Sequence, residues 1–329
     1  MMAKEVAAGV QAAGGDASVF ATSDFSADAA TVFDKFALGC PAMGAEELED
    51  YNVLVVNENT GEVFNTVGRY SEFKRLYNGP NMARLFMETY KATHEKIYLK
   101  YLLTIMNFYY SNGGENFYPN GISMFEMLEC LKNENMLEEY SKLRKLFLNH
   151  IENIIKRGLN YPKHECNYEQ TIVSPAVSFI LDGYKITGED RYLKELKPHL
   201  GVLECFDGFQ PHYKLNDIAI RFWDAYWFGK YGTVGDTMPH QCSALSSFLY
   251  YKYGQLTNNN NYINKAVNGF RNCLCSYEKN GRAHSSSISP YRCNGKPGNT
   301  LDVFANDQDT ILYLALDALL EEGKRKWLH

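Results

Sequence analysis

From residue 81 to the end of the chain, apolar side chains recur every three or four positions. The pattern predicts helices over 81–92, 95–111, 122–134, 137–157, 168–186, 189–203, 214–229, 238–256, 259–277 and 306–321. Leu245, Phe248 and Leu249, for example, fall on one face. Pro175 interrupts one of these runs, so that helix either begins at Ser174 with the proline in its first turn or is kinked there. Ahead of the helical text, Val53-Leu54-Val55-Val56 and Glu62-Val63-Phe64 flank Asn57-Glu58-Asn59-Thr60-Gly61, the pattern of a β-hairpin with a glycine-containing turn. Residues 1–50 are rich in Ala, Gly, Ser and Asp without a sustained period. The domain reading is therefore an irregular extension over 1–50, a short hairpin and linker over 51–78, and a helical body over 79–329. Residues 284–300, with Pro290, Gly295, Pro297 and Gly298, read as one long loop able to cover a cleft.

An internal repeat organises the helices. Tyr90-Lys91-Ala92-Thr93-His94-Glu95-Lys96-Ile97-Tyr98 and Tyr184-Lys185-Ile186-Thr187-Gly188-Glu189-Asp190-Arg191-Tyr192 share a shape, and the stretch from Lys252 to Ile263 repeats it more loosely. Threonine precedes tyrosine by five residues each time, where one predicted helix stops and the next begins. Such hairpins bury their apolar faces against neighbours, which favours a ring or stack of helix pairs over a four-helix bundle. Chance recurrence of helix-turn-helix punctuation is the alternative.

If the corners lie at one end, the starts of the first helices lie at the other. Those starts read Phe117-Tyr118-Pro119-Asn120, His164 to Gln170, Gly235-Asp236-Thr237-Met238-Pro239-His240 and Ala305-Asn306-Asp307-Gln308-Asp309. Capping accounts for part of this: Asn167 with Gln170 fits a capping box, and Pro239 suits a first turn. Capping does not need Tyr168, His240 or the surplus acids, so a polar, aromatic rim is the second reading. The densest segment runs from Gln210-Pro211-His212-Tyr213 to Arg221-Phe222-Trp223-Asp224-Ala225-Tyr226-Trp227. On a helix, Asp217, Arg221, Asp224 and Phe228 would share one face, and Trp223 and Trp227 another. Rings beside Arg and Asp suit a sugar, which stacks its C–H face and hydrogen-bonds its hydroxyls; a buried aromatic helix with an internal ion pair is the plain alternative.

Composition narrows the function. The 329 residues are 45% hydrophobic and 22% charged, enough for a full core, and 33 basic against 39 acidic side chains leave a net charge of −6. That balance gives no general attraction to nucleic acid or anionic membrane. No apolar run has the length of a membrane span, and Met1-Met2-Ala3-Lys4-Glu5 lacks the pattern of a secretion signal, so a cytoplasmic protein is expected. Eight scattered cysteines read as reduced, mostly buried thiols and not as a zinc site. No phosphate loop, G-x-S-x-G elbow or H-E-x-x-H occurs. No cofactor is expected, and a calcium site near Asp302, Asp307 and Asp309 is weaker than solvated caps because the spacing is not that of an EF-hand.

The Thr-x4-Tyr corners, together with Asn167-Tyr168-Glu169-Gln170, Trp223-Asp224-x-Tyr226-Trp227, Gly235-Asp236-Thr237-x-Pro239-His240 and Asn306-Asp307-Gln308-Asp309, resemble the six-hairpin (α/α)-toroid group of carbohydrate-active enzymes. That group includes unsaturated glucuronyl hydrolases and polysaccharide lyases, and the motifs look like those of gut-bacterial proteins acting on plant glycans. The resemblance implies a mainly α toroid of helical hairpins preceded by a short β-hairpin. The ring reads as incomplete, since about five hairpins are recognisable.

Three functions follow from that resemblance. The first is hydrolysis of an acidic, uronate-containing glycan by a carboxyl pair, Asp224 and Asp236 with Asp307 next, Arg221 gripping the uronate. The second is a lyase, in which Tyr168, Tyr226, His212 or His240 removes the proton beside the carboxylate while Arg221 or Asn167 neutralises it. Substrate contacts would come from Asn167, Gln170, His212, Arg221, Trp223, Trp227, Asn306, Asp307 and Asp309. The third is an inactive or truncated toroid that binds carbohydrate. In each, the partner is an oligosaccharide or polysaccharide.

Overall fold

A computed structural model of the chain describes residues 54–56, 63–65, 78–161, 170–209, 217–220, 236–277, 279–280, 286–289, 292–293, 296–297, 313–316 and 318. Strands β1 (Leu54–Val56) and β2 (Val63–Asn65) pair antiparallel with Val55 opposite Phe64, which is the hairpin the sequence predicts. Among the described residues, α-helices follow as α1 (Asn78–Thr93), α2 (Lys96–Ser111), α3 (Met124–Asn133), α4 (Leu137–Arg157), α5 (Gln170–Thr187), α6 (Arg191–Glu204), α7 (Gln241–Leu256) and α8 (Asn260–Cys273), and residues 313–316 and 318 are helical as well. Short strands lie between and after the later helices: β3 (Asp207–Phe209), β4 (Ile218–Ile220), β5 (Asp236–His240), β6 (Ser286–Ser289), β7 (Arg292–Cys293) and β8 (Lys296–Pro297). They form antiparallel pairs, β3 with β4, β5 with β6 and β7 with β8.

The three repeated corners share one backbone design. Thr93, Thr187 and Thr257 each donate the side-chain hydroxyl to the carbonyl four residues earlier, at 2.8, 2.8 and 2.7 Å. The next residue takes a left-handed backbone: His94 at φ +60°, Gly188 at +73° and Asn258 at +53°. In the first two corners the threonine oxygen also accepts from the amide of Glu95 or Glu189. The tyrosine then enters the second helix, its amide donating to the carbonyl of Glu95, Glu189 or Asn259. Thr therefore closes the outgoing helix and starts the turn with one hydroxyl, and Tyr98 and Tyr192 are buried as the anchors of the return. The α3/α4 turn uses a left-handed residue as well, Asn135, without the threonine.

The chain divides into two compact units. In the first, α1–α3 and the part of α4 through Phe147 bury Met82, Met87, Leu99, Met106, Met127 and Phe147 almost completely. Tyr90 donates to Glu134 at 2.6 Å, Lys96 pairs with the other oxygen of Glu134, and Lys91 pairs with Glu126. The second unit contains Tyr118–Asn120 and the chain from Leu148 onward. There α5 is buried nearly all round, with Ile172, Val173, Ala176, Val177, Phe179 and Ile180 at 1% exposure or less, whereas α6 and α8 each keep an exposed face. Gly183 exists because the Tyr192 ring lies where its Cβ would stand, so the α5/α6 hairpin closes tightly.

Three expectations are corrected. The helix over 214–229 is absent in its described part: 218–220 is strand β4, with Ile218 and Ile220 facing Phe209 and Asp207 in register. Asn272 Nδ2 donates to the Ile218 carbonyl and Ser243 Oγ to that of Ile220 at 2.6 Å, so carbonyls a helix would have used are held by side chains of α7 and α8. The shared face drawn from Asp217 to Arg221 therefore loses its helical basis. Second, the helix placed at 238–256 starts at Gln241, and Pro239 sits in strand β5 where the register with β6 shifts between Thr237 and His240. A proline has no amide hydrogen for a ladder, and an irregularity in pairing is where a strand tolerates one. Third, the loop over 284–300 contains strands β6, β7 and β8. Of the two readings of Pro175, the structure has the one in which the helix runs through the proline: α5 begins at Gln170 and carries Pro175 within it.

Candidate functional site

The described part of the site lies where α5 and α7 begin. Gln170 is the first residue of α5 and has no exposed surface. Its amide Nε2 donates to Ser246 Oγ at 2.7 Å, in the second turn of α7. In a capping box it is Gln170 Oε1 that would accept from the amide of Asn167, which lies outside the described residues, and the Nε2 donated to Ser246 reaches a partner 76 residues away. Gln170 Oε1 and Ser174 Oγ are buried and accept or donate no hydrogen bond among the described residues. Four residues apart, they stand on one face of α5.

Ser243, Ser246 and Ser247 are buried along α7 at 1% exposure or less. Ser247 donates to the Ser243 carbonyl at 3.0 Å, and Ser243 to Ile220, so α7 offers strand β4 and helix α5 a set of short hydrogen-bonding side chains. Gly269 of α8 packs against Ser247 and against Ile220, which leaves no space for a Cβ. Strand β5 runs directly into α7, so His240 immediately precedes the helix whose second turn receives Gln170. Along a helix axis Ser246 is about 8 Å from Gln241.

A second polar cluster closes the far end of α6. Lys265 Nζ lies 2.6 Å from Glu204 and 3.0 Å from Asp207, and Tyr250 donates to Asp207 at 3.1 Å. Burial pulls the Lys265 ammonium down, but the two carboxylates outweigh it and raise its pKa, so it stays charged. Burial first, and then the neighbouring acids, push the Tyr250 and Tyr262 hydroxyls up. These groups pin strand β3, and through its pairing β4, the strand that leads to Arg221.

The residues expected at the site divide as follows. Gln170 is described with its side chain. Asp236 and His240 are placed by backbone in β5, opposite Ser289 and Ser286 of β6. Asn167, Tyr168, His212, Arg221, Trp223, Asp224, Tyr226, Trp227, Asn306, Asp307 and Asp309 lie outside the described residues, as does Asp302. The structure thus brings the α5 start beside the chain that follows His240. Ser243, Ser246 and Asn272 were missed; the signal for the two serines was the cluster Ser243-Ala244-Leu245-Ser246-Ser247 in the first half of α7. Among the described residues no group of His, Cys, Asp and Glu could hold a metal ion, and no helix is long and apolar enough to cross a membrane. Burial pushes the Cys130 thiol up to about 11 and Cys273 is fully buried, while Cys205 is exposed.

No family model matches the chain. A polysaccharide lyase of known structure is 35% identical and superposes with a TM-score of 0.69 over 80% of this chain, which spans 39% of that protein. An inactive variant of the GH76A α-1,6-mannanase of Salegentibacter sp. HEL1_6, in complex with α-1,6-mannotetrose, is 14% identical with a TM-score of 0.52, covering 85% of this chain and 80% of its own. The chain thus has the helical-hairpin fold of the (α/α)-toroid carbohydrate-active enzymes. A flavodoxin from Megasphaera elsdenii is 49% identical over 49 residues, 15% of this chain and 36% of the flavodoxin. A match of that length does not bear on the helical hairpins.

Proposed function

We propose that this chain is the toroid part of a polysaccharide lyase that cleaves a uronate-containing glycan by β-elimination. The observation that carries it is the 35% identity to a polysaccharide lyase over 80% of the chain, with a TM-score of 0.69. The mannanase, at 14% identity, supports the fold and not the reaction. That difference moves the preference from the Asp224 and Asp236 carboxyl pair to the proton-abstraction chemistry that the sequence also allows.

Elimination requires a group that neutralises the uronate carboxylate, a base for the hydrogen on the adjacent carbon, and a proton for the leaving oxygen. The C–H electron pair becomes the new carbon–carbon double bond as the carbon–oxygen bond breaks. Asn167 or Arg221 fits the first role. Tyr168, Tyr226, His212 and His240 supply phenol and imidazole for the other two, and Trp223 and Trp227 supply faces on which a sugar stacks. Asn306, Asp307 and Asp309 belong to the binding set in this reading.

The test is to offer uronate-containing plant and host glycans to the full chain and follow both reducing ends and ultraviolet absorbance. An eliminase produces an absorbing unsaturated end, and Tyr168→Phe or His240→Ala removes it. Reducing ends without absorbance, lost in Asp224→Asn and Asp236→Asn, would establish a hydrolase instead. Calorimetric binding of the glycan with no product would leave a carbohydrate-binding toroid.

A further inference from the structure

We propose that the α7/α8 corner is a second glycan-binding surface, on which the Tyr253 and Tyr262 rings stack against a neutral stretch of polysaccharide while the side-chain amides of Asn258, Asn260, Asn261 and Asn264 hydrogen-bond its hydroxyls. The proposal is independent of whether the chain eliminates or hydrolyses. The corner stands apart from the start of α7: Tyr253 lies about 18 Å along the helix axis from Gln241.

This corner departs from the other two. Tyr98 and Tyr192, which anchor the first two corners, are 6% and 1% exposed, whereas Tyr262 in the same position keeps part of its surface. Tyr253, also part-exposed, sets its ring 4.8 Å from that of Tyr262 at 80°. Tyr262 is held from within by Tyr250 at 5.8 Å and by Lys265 Nζ at 5.4 Å from its centroid. The turn residues differ as well. The first two corners carry ionic pairs, Lys96 with Glu134 and Arg191 with Glu189, where the third reads Asn258-Asn259-Asn260-Asn261. The fold uses the Asn258 backbone for the left-handed turn and the Asn259 side chain to cap α8. The side-chain amides of Asn258, Asn260, Asn261 and Asn264 are exposed and make no hydrogen bond among the described residues. Asparagine is a poor helix former, so those within α8 cost helix stability and return no contact. Rings beside amides match a pyranose, which offers C–H groups on one face and hydroxyls at its edge that both donate and accept. The cations nearby are committed, Lys265 to Glu204 and Asp207 at 2.6 and 3.0 Å and Lys252 over the Phe248 ring at 4.3 Å. A uronate carboxylate therefore finds little here to hold it, and the surface suits neutral sugar residues.

The experiment is native electrophoresis of the full chain through gels containing a soluble galactomannan, a xyloglucan or polygalacturonate, with dissociation constants taken from the retardation. A neutral polysaccharide should retard wild type. Tyr253→Ala should weaken that binding about 10-fold, and Tyr253→Phe, which keeps the ring, should retain most of it. Asn260→Ala combined with Asn261→Ala should weaken it severalfold. Thermal melting verifies that each variant folds, and the Tyr253 side chain makes no hydrogen bond among the described residues that its loss would break. No retardation by either neutral polysaccharide, retardation by polygalacturonate alone, or unchanged binding in Tyr253→Ala would each overturn the proposal. The assay needs no turnover, so its failure leaves the lyase reading standing, and a chain that cleaves no uronate glycan leaves this surface still to be found by its binding.

Discussion

His94 and Gly188 occupy the same position at two helix corners, each directly after the closing threonine and each with a left-handed backbone, at φ +60° and +73°. Only one of them is suited to it. A side chain in that conformation costs about 1–2 kcal/mol, and glycine escapes most of this. Around Gly188 a Cβ would meet nothing within 4 Å, so the strain there is conformational alone. Gly188→Ala should therefore destabilise the protein by about 1 kcal/mol, and His94→Gly should stabilise it by somewhat less. Urea denaturation of both variants measures this, and equal midpoints for wild type and Gly188→Ala would show that the corner backbone is not the one described.

Stability should also fall in mild acid through His199. The ring is buried at 2% exposure, its Nδ1 lies 2.7 Å from the Tyr161 hydroxyl, and burial pushes its pKa down from 6.5 to about 4. Between those values the unfolded chain binds a proton that the folded one refuses, so stability is complete above pH 6.5 and is lost as pH falls toward 4. The loss amounts to at most about 3 kcal/mol. His199→Gln keeps a partner for Tyr161 and removes the titration. Its denaturation midpoint should vary less between pH 7 and 4.5 than that of wild type, and parallel curves would remove His199 as the cause.

The unpaired hydroxyl of Ser174 gives a prediction of opposite sign. It is buried at 2% exposure on α5 without a hydrogen bond among the described residues. An orphaned buried polar group costs about 1–3 kcal/mol, and alanine is also the better helix former. Ser174→Ala should raise the midpoint of unfolding, by about 1 kcal/mol after the small cavity is counted. A loss of stability would mean that the hydroxyl has a partner.

What could be read from the sequence was local. The helices of α1–α8 follow from 3.6-residue periodicity, and the Thr-x4-Tyr corners follow because one threonine hydroxyl and one left-handed residue suffice to end a helix. What could not be read depended on distant partners. Ile218-Ala219-Ile220 is compatible with helix or strand, and the outcome is set by Asn272 and Ser243, more than 20 residues away, which take the strand carbonyls. Gln170 has the local pattern of a cap, but the partner of its Nε2, Ser246, could be found only through the fold. Most of the candidate site, Arg221 to Trp227 in particular, lies outside the described residues.

Gly269 offers the sharpest check on that correction. Its Cα faces Ser247 Oγ of α7 and Ile220 Cδ1 of β4, and a Cβ built there would stand 2.8 Å from the isoleucine carbon and closer still to the serine oxygen. Helix α8 can lie this near α7 only because position 269 has no side chain, and β4 fills the space beside it. Gly269→Ala gains helix propensity, worth about 1 kcal/mol, but must displace a helix or a strand in a packed interior, a cost of about 1–3 kcal/mol. Steric cost should win, and the variant should unfold at lower urea. Ser247→Ala alone removes the hydroxyl that bonds Ser243, a modest loss. Combined with Gly269→Ala it removes the obstructing oxygen, so the double variant should be more stable than the two separate losses predict. Strict additivity would mean that residues 269 and 247 are not in contact, and the packing that makes 218–220 a strand would have to be redrawn.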